Sequence, residues 1–144
     1  MFALLTFAMG CVPYEVLDQG DNGGSDDPDP TDCTGDVRDC CRTLTAELAR
    51  SQDEVDLLLA RSLPEAAPLD LSAVDWTERS VVAVYPADAC PNDGFRLHVG
   101  RATARDDTLV VHGFINGGRS GGETASRPYE VLLVRWTGAA VEAR

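Results

Sequence analysis

Residues 80–86 read Ser-Val-Val-Ala-Val-Tyr-Pro, and every side chain between Ser80 and Pro86 is apolar or aromatic. The run is short for a helix, and its valines favour extended backbone. It suits a central strand whose two faces are both covered. The rest of the chain must therefore supply that cover. In residues 42–50, Leu44, Ala46 and Leu48 alternate with Thr43, Thr45 and Glu47, which is strand periodicity. Directly afterwards Ser51 and Glu54 form a capping box, which starts a helix there. From that cap Val55, Leu58, Leu59 and Leu63 make one apolar stripe for packing on a sheet, and Pro64 and Pro68 close the helix.

Further strands are expected downstream. Phe95, Leu97 and Val99 alternate with Arg96 and His98, and residues 108–115 follow across a turn holding Asp106 and Asp107, so the two form a hairpin. Residues 127–136 and 139–143 read as a closing pair that turns at Thr137 and Gly138. The sum is an α+β domain, one helix packed on a mostly antiparallel sheet of about five or six strands.

At 144 residues the chain has room for one domain with attachments. Its net charge of −12 is unevenly placed, with −8 on residues 1–41 and −4 on residues 42–144. No cluster of basic residues stands out along the sequence, so nucleic acid is not an expected partner.

The opening MFALLTFAMG is too short to span a bilayer but has the size of the apolar part of an export signal. Ala8 and Gly10 just before Cys11 resemble a bacterial lipobox. That resemblance implies cleavage ahead of Cys11, lipidation of its sulfur and amine, and a signal truncated at its start. Several acyl chains together hold a protein on a membrane where one would not. The run DQGDNGGSDDPDPTD (18–32) carries six Asp and no apolar side chain, so it should be a solvated, extended tether. It lacks the spacing and final Glu of an EF-hand. The expected organisation is a signal segment at 1–10, a lipidated Cys11 with its tether at 11–41, and a domain at 42–144.

With Cys11 lipidated, Cys33, Cys40, Cys41 and Cys90 form an even set, as in exported proteins with disulfides. A bridge between adjacent Cys40 and Cys41 would be strained. Cys33 would then pair with Cys40 or Cys41, and the other with Cys90. The run CTGDVRDCC lacks the paired spacing of a zinc site.

Several residues could carry chemistry, and each has a simpler reading. Ser120 in GRSGG fits the letters of a nucleophile elbow, but it sits in a glycine-rich loop with no helix after it. His98 and His112 could face one another across the hairpin, yet two His supply at most half of a zinc site, and outward polar positions are the better account. Asp75 and Glu78 around Trp76 could be paired carboxylates, although Asp before an aromatic more often fixes a turn with the aromatic in the core. Trp136 is either core or contact surface. No catalytic residue, metal or cofactor is expected.

The pieces SQDEVDLLLARSL, VDWTERSVVAVYP, NDGFRLHV and RPYEVLLVRW resemble, in order and spacing, the PrcB C-terminal-like domain. The match covers about residues 50–140 and departs at ADACPNDG, where a longer turn carries Cys90. The resemblance implies a non-enzymatic, protein-binding domain on a bacterial envelope lipoprotein, at the outer membrane or cell surface rather than the inner membrane. Its partner would be another envelope or exported protein, with support of an exported protease complex as one role. The alternative is a protease inhibitor. Under either reading loops 87–94 and 116–126 would make the contacts, through Asp93, Gly94, Phe95 and Arg119.

Overall fold

The computed structural model describes residues 11–21, 43–90, 95–117 and 126–144. Among them are β1 (Tyr14–Asp21), β2 (Leu44–Ala49), α1 (Gln52–Ser62), β3 (Ser80–Pro86), β4 (Phe95–Arg105), β5 (Thr108–Gly117), β6 (Pro128–Val134) and β7 (Ala140–Ala143). The strands form two sheets. One is antiparallel in the order β1-β6-β3-β2, and the other runs β4-β5-β7 with β5 and β7 parallel.

Strand β3 explains how the layers stack. Val81, Ala83 and Tyr85 point to one side, where Val55, Leu58, Leu59 and Leu63 of the α1 region cover them. Val82 and Val84 point to the other side and pack on Leu97, Ala102, Leu109 and Val111 of the second sheet. Strand β6 alternates in the same way, with Val131 and Leu133 toward the helix and Leu132 and Val134 toward the second sheet. The order is helix, four-stranded sheet, three-stranded sheet. All seven residues of β3 are buried, as its apolar run requires.

The helix begins where the capping residues place it. The Glu54 backbone N–H donates to Ser51 Oγ at 3.1 Å, while the Glu54 carboxylate accepts from the Arg50 N–H at 3.2 Å. The reciprocal bond of the box therefore reaches one residue further back than usual. At the other end the Leu63 N–H closes on the Leu59 carbonyl at 2.8 Å, just before Pro64.

Three expectations need correction. First, the layers comprise seven strands in two sheets, and the helix covers only the larger one. Second, the segment expected to be a free tether from Cys11 onward is structured over 11–21. Val12 is buried in the inter-sheet core, and β1 pairs along β6 from Tyr14 opposite Val134 to Asp21 opposite Pro128. Val12, Tyr14 and Leu17 face the two cores but make only a short apolar signal ahead of the acidic run, and residues 18–21 pair through backbone bonds that do not require apolar side chains. Third, β6 and β7 do not pair with each other. After Trp136 the chain crosses to the second sheet, where β7 lies parallel to β5.

Contacts with the hairpin turn direct that crossing. The Ala139 N–H donates to Asp107 Oδ1 at 3.0 Å, and the Ala140 N–H donates to the Asp107 carbonyl at 3.1 Å. A Cβ on Gly138 would lie 2.2 Å from the Trp136 ring and 2.6 Å from Asp107 Oδ1, so only glycine lets the strands approach there. The hairpin turn itself holds Asp106 at φ 56°, a left-handed conformation that Asp tolerates.

Candidate functional site

Cys11 and Cys90 occupy opposite environments. Cys11 is exposed and its thiol is free. Its backbone pairs antiparallel with that of Thr103, and the next residue, Val12, donates its N–H to the Ala102 carbonyl at 2.7 Å. The start of the described chain thus lies along the edge of β4. Cys90 is fully buried and disulfide-bonded, while its backbone exchanges two hydrogen bonds with Ser126. Cys33, Cys40 and Cys41 lie outside the described residues.

The contact residues expected on the loops are only partly in view. Asp93, Gly94, Arg119 and Ser120 lie outside the described residues. Phe95 does not suit a contact role. It is 4% exposed and packs on Cys90 and Ile115, because position 95 starts β4 on its inward face.

His98 and His112 do not face one another. His98 stands opposite Phe114, with ring centroids 5.3 Å apart, and His112 stands opposite Arg101. A β-bulge between Val99 and Arg101 shifts the register. Burial lowers the His112 pKa, and the nearby Arg101 and Arg144 lower it further. Asp75 holds a turn, accepting from the Thr77 hydroxyl and from the Thr77 N–H at 3.0 Å, and these bonds depress its pKa. Trp76 packs on the helix-side core, and exposed Glu78 stands 3.9 Å from Arg135. Trp136 packs against the inter-sheet core, and its carbonyl accepts from Ser80 Oγ at 2.8 Å.

One buried and one half-buried carboxylate were not legible as sites. Glu130 is 3% exposed on β6, between the sheets, and its Oε1 accepts the Val99 N–H at 2.9 Å. Tyr14 donates its hydroxyl to the Val99 carbonyl, also at 2.9 Å. The two side chains satisfy the backbone at the β4 bulge, which explains a polar residue in an otherwise apolar strand. Burial raises the Glu130 pKa, against the opposing effects of the Val99 N–H and His98. Glu47 lies where β2 meets the end of α1 and accepts from Ser62, Tyr85 and Arg61. Burial acts to raise its pKa, but the bonds from Ser62, Tyr85 and Arg61 together hold it below the usual range. Arg127 lies over the Tyr85 ring, 5.6 Å from its centroid. Both carboxylates hold structure together: Glu130 fastens a bulge and Glu47 fastens the helix end to the sheet.

Charge collects on the outer face of the second sheet, around a Val110 that is 3% exposed. On β4, residues 96, 98, 101, 103 and 105 are in register with the outward residues 116, 114, 112, 110 and 108 of β5. Arg96, Arg101 and Arg105 are exposed on this face, and Phe114 is 54% exposed among them. The strand pairing therefore assembles a basic patch that is not evident along the linear sequence. Among the described residues no helix is long and apolar enough to cross a membrane. Comparison with protein-family models, characterised proteins and solved structures found no match to this chain.

Proposed function

We propose that this chain is a lipid-anchored bacterial envelope protein whose folded domain binds another exported or envelope protein, as the resemblance to the PrcB C-terminal-like domain implies. Support of an exported protease complex is the role that resemblance favours. The observation that carries the reading is the contrast between the two described cysteines. Cys11 is free and exposed at the edge of the domain, open to modification, whereas Cys90 is buried and oxidised as in a protein that folds outside the reducing cytosol. No reaction is assigned to the domain.

The test is intact mass with membrane fractionation, on protein expressed behind a complete export signal. A membrane-bound chain that begins at Cys11, heavier by a diacylglycerol and an acyl group and without free thiols, is the expected result. A soluble chain with unmodified Cys11 would overturn the anchor. Reduced Cys90 would overturn the exported location. Crosslinking in the envelope, followed by identification of the captured protein, then tests the binding role. Recovery of only the uncrosslinked monomer would count against it.

A further inference from the structure

We infer that the outer face of the three-stranded sheet is a membrane-facing surface that lies on the anionic phosphates of phospholipid headgroups. The first support is composition. Four of the chain's twelve basic residues, Arg96, Arg101, Arg105 and Arg144, lie on or at the end of this one face. Glu142 is the acid on the same face, and it is paired with Arg144 at 2.9 Å. Asp106 and Asp107 stand at the hairpin rim, where Asp107 is engaged by the Ala139 N–H. The patch is therefore cationic in a chain of net charge −12.

The second support is the position of Cys11. Opposed residues in an antiparallel pair share a face, so Cys11 stands on the same face as its partner Thr103. Val12, the next residue, is buried toward Ala102, as alternation requires. Arg101 and Arg105 flank Thr103 on that face. Strand spacing then places their Cα atoms within about 9 Å of the Cys11 Cα, inside the reach of an arginine side chain to headgroups around an anchor. Phe114, an exposed aromatic on the same face, suits the headgroup boundary.

The acids of α1 do not oppose this orientation. The exposed acids of α1, Asp53, Glu54 and Asp56, lie beyond the four-stranded sheet. That is about two layer spacings of 10 Å from the basic face, some twice the screening length in physiological salt. The arginines meet the membrane at contact distance, where their field is least screened.

The inference uses the proposed anchor only to orient the domain, so its test leaves the lipid out. The full chain carrying Cys11→Ser is mixed with vesicles of phosphatidylcholine, alone or with phosphatidylglycerol, and binding is read by co-sedimentation. Each arginine near an anionic surface contributes roughly fivefold, so the triple variant Arg96→Gln, Arg101→Gln, Arg105→Gln should bind phosphatidylglycerol vesicles about 100-fold more weakly. Its unfolding midpoint should stay that of the parent, because all three side chains are exposed. The pair Arg79→Gln, Arg135→Gln, on exposed sites away from this sheet, should change binding little. Equal binding to both vesicle types, or equal loss in the control pair, would overturn the inference. So would binding to polyglutamate without binding to vesicles, which would assign the face to an acidic polypeptide. Failure of the anchor itself would appear separately, as the mass of an unmodified Cys11.

Discussion

Replacing Leu132 by alanine is expected to destabilise the domain by about 2–5 kcal/mol, the usual cost of deleting a large side chain from a packed core. Leu132 is 0% exposed on β6, in the layer where the two sheets meet. Its strand is the inner one between β1 and β3, so the surrounding backbone cannot move in to fill the space. The measurement is a denaturant midpoint at unchanged slope, compared with Leu57→Ala. Leu57 is 66% exposed on α1, and its replacement should stay within roughly 0.5 kcal/mol of the parent. Against a total stability of about 5–15 kcal/mol the core change is large. A loss for Leu132→Ala as small as that of Leu57→Ala would mean that the two sheets do not pack on one another as described.

Substitutions at Glu130 should separate a hydrogen bond from a buried charge. Glu130→Leu removes the acceptor of the Val99 N–H and leaves that donor buried without a partner, a cost of about 1–3 kcal/mol. Near pH 4, where the carboxyl is mostly protonated in both states, this loss should dominate. Glu130→Gln keeps an acceptor and removes the ionisable group. Because burial raises the carboxyl's pKa in the folded state, the folded chain holds its proton to higher pH than the unfolded chain. The Glu130 contribution to stability therefore falls as pH rises from the ordinary carboxyl pKa through the raised one. Thermal unfolding should show Glu130→Gln gaining on the wild type over that window and remaining more stable near pH 7. A Glu130→Gln variant that gains nothing on the wild type over the same window would contradict the burial of the charge. A Leu variant as stable as the parent near pH 4 would contradict the bond to Val99.

Much of the fold was legible because its signals are local. The Ser51–Glu54 box and the stripe through Val55, Leu58 and Leu59 depend on a few neighbouring residues, and α1 follows both. The Asp75 turn and the pairing of β4 with β5 are also local matters, settled over short stretches of chain. The candidate site was less legible. Phe95 looked like a loop contact because the sequence shows only its neighbours Asp93 and Gly94, whereas the fold turns its side chain into the core. His98 and His112 do take outward positions on the hairpin, but they do not oppose one another, because the turn at Asp106 and Asp107 sets a register that puts His112 opposite Arg101.

By itself the sequence determined the central strand, the helix, the hairpin and their approximate places, because periods of two and 3.6 residues reflect which side chains avoid water. Only the tertiary structure decided that β1 completes the first sheet and that β7 joins the second in parallel. It alone placed Cys11 beside Thr103 and gathered Arg96, Arg101 and Arg105 on one face. Those outcomes rest on backbone pairing between residues far apart in the chain, which any side chain can accept and which composition therefore does not record.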